Sequence, residues 1–177
     1  MSMIKLIPSG AIVPLRLSIL QGGYNDPSQG WTDGLATVSQ SGSIYLKVKY
    51  FVPEGPHSRK EFRSTIGLKS PKGPWWRKKG RDFVTDILNS KYNLAADDFS
   101  TKAIKLRRLK SLKELNGLKF VARIKTVRDQ NNNLVNEIDT IILRPSLNDG
   151  TKVARLRQTD LTARLTAAVS KPMWMLD

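Results

Sequence analysis

Residues 43 to 52 read Ser-Ile-Tyr-Leu-Lys-Val-Lys-Tyr-Phe-Val, and this stretch decides the fold class. Side chains of an extended strand alternate between two faces with a period of two. Ile44, Leu46, Val48, Tyr50 and Val52 therefore share one face, and Tyr45, Lys47, Lys49 and Phe51 share the other. The first set is a core face. The second interleaves rings with ammonium groups, a mixture that a buried face would not tolerate and a purely solvated face would not need.

The same alternation recurs on either side. Pro53 to Pro56 makes a turn, and Glu61 to Leu68 resumes as a strand with Phe62, Ser64, Ile66 and Leu68 on one side. Leu118 to Arg128 sets Leu118, Phe120, Ala122 and Ile124 against Lys119, Val121, Arg123 and Lys125. The run Asp129-Gln130-Asn131-Asn132-Asn133 is a turn, and Leu134 to Leu143 returns to complete a hairpin. Upstream, Ala11 to Leu20 is a weaker strand interrupted by Pro14, residues 22 to 30 form a loop by composition, and Gly34 to Val38 is a short strand.

Helical periodicity enters in two places. Gly73-Pro74-Trp75-Trp76-Arg77-Lys78-Lys79-Gly80 reads as a loop, after which Arg81 to Ser90 predicts a helix with Phe83, Val84, Ile87 and Leu88 on one face. Lys102 to Leu115 predicts a short basic helix carrying Leu106, Leu109, Leu112 and Leu115, ended by Gly117. Five or six strands, with a helix before a final hairpin, suit a mainly β protein. The expected architecture is a five-stranded OB-fold-like Greek-key barrel with one or two short helices and a C-terminal extension. An SH3-like barrel has a similar pattern. The barrel core spans residues 34 to 144, with residues 1 to 33 part of it or packed on it. Residues 145 to 177 form a basic extension in which Thr159 caps a short helix.

Composition limits what such a barrel can do. Cysteine is absent and there is one histidine, His57, in a turn. Disulfides, thiolate metal sites and imidazole-built metal sites are therefore not expected, and neither is a cofactor. No run approaches a membrane span, and the N-terminus lacks a secretory apolar region, so the expected location is cytoplasmic. Thirty Lys and Arg against fifteen Asp and Glu leave a net charge of +15. A polyanion relieves such self-repulsion, and nucleic acid is the commonest one, bound largely through counterion release.

Single-strand binders combine a positive groove with aromatic platforms for bases. One source of both is the Tyr45, Lys47, Lys49, Phe51 face. Another is the stretch from Arg59 to Arg81, which holds Arg59, Lys60, Arg63, Lys72, Trp75, Trp76, Arg77, Lys78 and Lys79 and a single acid, Glu61. Adjacent Trp residues seldom bury in the same direction, so one ring is expected inside and the other outside. The run through Arg107 and Arg108, free of acids from Lys102 until Glu114, predicts a phosphate track, and Arg123 and Lys125 on one face of the last hairpin either extend it or stay solvated. Glu137 and Asp139 share a strand face, where they either pair with cations across the hairpin or bind a metal as nucleases do. The phosphate-cradling Gly-x-x-x-x-Gly-Lys-Ser/Thr motif is absent, so NTP hydrolysis is not expected; with binding features dominant, the chain is expected to be non-catalytic.

The order of these segments, ending in Leu115-Asn116-Gly117-Leu118-Lys119-Phe120 and a hairpin, resembles the single-stranded DNA-binding proteins of bacteriophages and mobile elements over residues 34 to 144. The resemblance implies an OB-fold that binds single-stranded DNA without sequence preference and protects it in DNA replication and recombination. RNA, and a homodimer, are the alternatives as partners. The ending Pro172-Met173-Trp174-Met175-Leu176-Asp177 is similar to a short Pro-aromatic tail that some relatives carry; its Trp174 tip either docks replication or recombination proteins or folds back onto the barrel or a second subunit. This chain departs from the long acidic tail of cellular relatives.

Overall fold

The computed structural model describes residues 6–144; the expected helix after Thr159 and the Trp174 tip lie outside the described residues. The described chain is mainly β. Its seven strands are β1 (Ile12–Leu20), β2 (Tyr24–Asp26), β3 (Trp31–Val38), β4 (Ile44–Phe51), β5 (Glu61–Lys69), β6 (Lys119–Arg128) and β7 (Leu134–Ile141). Two helices, α1 (Trp75–Tyr92) and α2 (Thr101–Leu106), lie between β5 and β6. The strands form one antiparallel sheet curled into a half-barrel, an arrangement that fits an OB-like barrel. No helix among the described residues is long and apolar enough to cross a membrane.

The strand that opened the reading sits at the centre. β4 pairs with β5 along its whole length on one side. On the other, residues 47 to 51 pair with β1 and residues 44 to 46 with β3. β1 in turn pairs with β6, and β6 with β7, so the principal path is β5-β4-β1-β6-β7. Leu46, Val48 and Tyr50 are buried with Leu15 and Leu17 of β1 and Phe120 and Ile124 of β6. Each such side chain contributes about 1.5–3 kcal/mol by leaving water.

β1 is a continuous central strand despite Pro14, because of where its two ladders begin. Leu17 exchanges backbone bonds with Gly117 and Leu118 on the β6 side. Even-numbered residues of β1 therefore turn their backbone groups toward β4, and that ladder starts only at Arg16. The missing N–H of Pro14 falls where no strand bond is required. The expected boundary at residue 34 cuts through β3.

Three other expectations are corrected. Residues 22 to 30 contain β2 and a 3₁₀ turn, Pro27–Gln29, whose start is capped by Asp26 accepting from the Ser28 amide at 3.1 Å. The stretch 73 to 80 is not a loop: α1 begins at Trp75, immediately after Pro74. Gly80 suggested a break, yet its bare Cα is what the helix needs. A Cβ there would lie 1.8 Å from the Gly67 carbonyl oxygen, so glycine lets α1 touch the backbone of β5. Nor is 102 to 115 one helix. α2 stops at Leu106, and Leu112–Leu115 is a 3₁₀ turn. Leucines spaced by three stay aligned on a helix of three residues per turn and drift on one of 3.6.

Candidate nucleic-acid interface

Alternation along four adjacent strands turns one set of side chains away from the core. Register sets them in rows. Lys119 of β6 lies opposite Arg16 of β1, Arg16 opposite Phe51 of β4, and Phe51 opposite Glu61 of β5. The next row is Ser18, Lys49 and Arg63, and the one after is Leu20, Lys47 and Thr65. Tyr45 closes the series, opposite Thr37 of β3 and Gly67 of β5. Tyr45 and Phe51 are half-buried and Arg16, Lys47, Arg63 and Lys119 are exposed. The Arg16 guanidinium carbon stands 5.6 Å from the centre of the Phe51 ring. Glu61 is the carboxylate of these rows and pairs with Lys49 at 3.0 Å.

Tyr45 and Phe51 stand six positions apart, roughly 20 Å along an extended strand. The rings thus bracket a cationic middle. A strand laid across this face can stack one base at each end while its phosphates meet Lys47, Lys49 and Arg63. Arg16 and Lys119 were not among the expected contacts. The signal for Arg16 was present, since it stands between Leu15 and Leu17 in an alternating run, but Pro14 masked it.

The two adjacent Trp rings differ in exposure. Trp75 is 67% exposed, with the Lys79 ammonium 5.1 Å from its ring centre. Trp76 is half-buried against β5, where a Cβ at Gly67 would lie 2.6 Å from the indole nitrogen. Gly67 is the register partner of Tyr45, so the start of α1 meets the outward rows at that pair. Because Trp75 to Lys79 stand on a helix, successive side chains point about 100° apart rather than forming one basic loop. Lys78 pairs with Asp82 one turn on, at 2.8 Å. Arg77 is half-buried, and Arg59 and Lys72 are exposed in turns. Lys60 donates to the Leu6 carbonyl at 3.0 Å, which ties down the incoming chain.

Arg107 is corrected from a phosphate contact to an internal strut. Its side chain is 3% exposed and donates to Asn89 Oδ1 at 2.7 Å, to the Ala95 carbonyl at 2.8 Å and to the Asp98 carbonyl. Burial lowers its pKa from the ordinary value, while Asp98 and Asp97 oppose that shift. Asp98 itself is held below the usual carboxylate range, first by the Ser100 amide and hydroxyl. Arg108 is exposed, but Leu109, Leu112 and Leu115 of the same segment enter the core. This segment does not belong to the outward rows of β4 and β5.

On the final hairpin, Lys125 pairs with Glu137 at 3.4 Å, and Arg123 approaches Asp139 at 3.9 Å. Both carboxylates therefore face cations across the hairpin. No group of three acidic or histidine side chains suited to a metal occurs among the described residues.

No protein-family model matches the chain, and no curated protein matches it. What the site can do must come from its own geometry.

Proposed function

We propose that the chain is a non-catalytic protein that binds single-stranded DNA without sequence preference. Its role is to shelter displaced strands during replication or recombination of a phage or mobile element, in the cytoplasm of the host. One observation carries the reading: Tyr45 and Phe51 share a sheet face with Arg16, Lys47, Lys49, Arg63 and Lys119. Base stacking contributes about 1–3 kcal/mol per base and tolerates any sequence, and the cations supply the phosphate attraction.

The strand path supports the same reading. In β5-β4-β1-β6-β7, with α1 between β5 and β6, we read the five-stranded Greek-key plan of an OB-fold. Such barrels bind oligonucleotides on the face of their second and third strands. Counting β1 as the first strand and setting aside the β2–β3 hairpin, those strands are β4 and β5, which hold the two rings and Arg63.

Tryptophan fluorescence, with the exposed Trp75 as reporter, tests the proposal. The full chain is titrated with dT oligomers, matched RNA and duplex DNA at two salt concentrations. We expect tight binding of the dT oligomer, weaker binding of duplex, and an affinity that falls as salt rises. Equal affinity for duplex and single strand would reject the proposal, and preference for RNA would reassign the substrate.

A further inference from the structure

The edges of β5 and β7 approach each other without forming a ladder, and α1 packs against both. Together they enclose a cleft of about 570 Å³, within the range of small-ligand sites. Its walls include Tyr50 of β4, Ile66 and Gly67 of β5, Trp76 and Phe83 of α1, and Ile138 of β7. None of the stacking assigned to Tyr45 and Phe51 uses it.

Two polar atoms of this wall are left over. Tyr50 is 1% exposed, with Phe62 and Phe120 against its ring, yet its hydroxyl has no hydrogen-bond partner among the described residues. The buried Nε1 of Trp76 has none either. Buried polar groups are nearly always paired, so two orphans on one cleft point to a missing partner. Both are donors here. Trp Nε1 can only donate, and burial raises the Tyr50 pKa so far that the phenol keeps its proton.

The charges indicate which part of a ligand enters. Asp82, Asp86, Glu137 and Asp139 line the cleft along with Lys78, Lys79 and Lys125. Four carboxylates against three ammonium groups disfavour an anion inside, so a neutral flat group belongs there, with its phosphate held outside by the lysines.

We propose that this cleft admits one unpaired nucleobase, whose ring carbonyl oxygens accept hydrogen bonds from the Tyr50 hydroxyl and the Trp76 indole N–H. A strand crossing the outward face would insert a single base here; thymine offers two carbonyl acceptors and adenine only ring nitrogens, so this one position would favour thymine while the outward face takes any sequence. The choice of ligand rests on the single-strand reading above.

The test follows the Trp76 indole N–H by NMR in the full chain, assigned with a Trp76→Phe variant. The titrants are thymidine monophosphate, deoxyadenosine monophosphate and deoxyribose 5-phosphate. The Trp76 resonance is expected to shift saturably with the thymidine nucleotide, at least fivefold more weakly with the adenine nucleotide, and not at all with the sugar phosphate. Tyr50→Phe keeps the packed ring and should weaken the thymidine nucleotide by about fivefold, the effect of one lost hydrogen bond. The proposal is overturned if the Trp76 resonance stays still at millimolar nucleotide, answers both bases equally, or responds unchanged in Tyr50→Phe. Nucleotide binding without oligomer binding would reject the single-strand reading and keep the cleft; oligomer binding without a Trp76 response would do the reverse.

Discussion

Two segments of this chain carry the same kind of sequence, lysines and arginines among apolar residues, and the fold uses them in opposite ways. On β4, Tyr45, Lys47, Lys49 and Phe51 alternate strictly with core residues, so the sheet turns all four outward at once. Between Lys102 and Lys113 the backbone changes from α2 to an irregular stretch to a 3₁₀ turn. There the side-chain directions scatter, and Arg107 is drawn inside to satisfy Asn89 and two carbonyls. A high density of positive charge along a chain therefore says little about the surface it makes. The period of the backbone that carries the charges says more.

The largest effect should come from Arg107. Arg107→Ala removes a donor from Asn89 Oδ1 and from the Asp98 carbonyl, and leaves the Ala95 carbonyl with the Asp98 amide alone. A buried acceptor left unsatisfied costs about 1–3 kcal/mol, so denaturant unfolding should show a loss of that order or more. Oligonucleotide affinity, measured where the variant is still folded, should be unchanged. A stable variant with weakened DNA binding would reverse the comparison.

Next is the ring pair. Tyr45→Ala combined with Phe51→Ala should lower affinity for a dT oligomer by about 2 kcal/mol or more if both rings stack bases. The dependence on salt should barely change, because no phosphate contact is lost. Fluorescence anisotropy at several salt concentrations separates the two quantities.

A smaller and cleaner contrast sets Lys47→Ala against Lys110→Ala. The first should reduce the salt slope by roughly 0.7, the value for one phosphate contact on a single strand. The second, on the segment whose leucines enter the core, should leave it alone. Equal changes from both would mean that the segment after α2 also faces the strand.

The smallest expected effect concerns pH. Asp98 accepts from the Ser100 amide at 2.9 Å, and its pKa in the fold lies below the ordinary value of 3.8. A carboxylate with a depressed folded pKa adds stability that is present above the unfolded value and lost as pH falls through the folded one. Asp98→Asn should therefore lower stability slightly near pH 7, where the ionised carboxylate contributes, and flatten the fall below about pH 4, where that contribution is already gone in the unaltered chain, as read from thermal midpoints in buffers from acid to neutral. An unchanged acid limb would show that this bond does not couple to folding.

Much of the sheet was legible because it rests on local alternation. The faces of β4, β5 and β6 follow from residue parity, and the turn before β7 is written in Asp129, which accepts from the amides of Asn131 and Asn133, both at 2.9 Å. The start of α1 is not legible locally, because Gly80 marks a break by every local rule while its purpose is a contact with Gly67, thirteen positions earlier. Arg16 was overlooked for the same kind of reason. Whether Pro14 interrupts a strand depends on which neighbour needs its N–H, and that neighbour lies thirty residues or more away.

By itself, the sequence determined that rings and cations alternate on strands, that the chain carries a large positive charge, and that it has no cysteine and a single histidine. These are properties of residue type and of a two-residue period, and both are local. Only the tertiary structure decided which cations reach one surface, that Arg107 is internal, and that Tyr50 and Trp76 share a cleft. Those outcomes depend on register between strands and on the close approach of α1 to β5, where segments far apart in the chain must satisfy one another's backbone and polar groups.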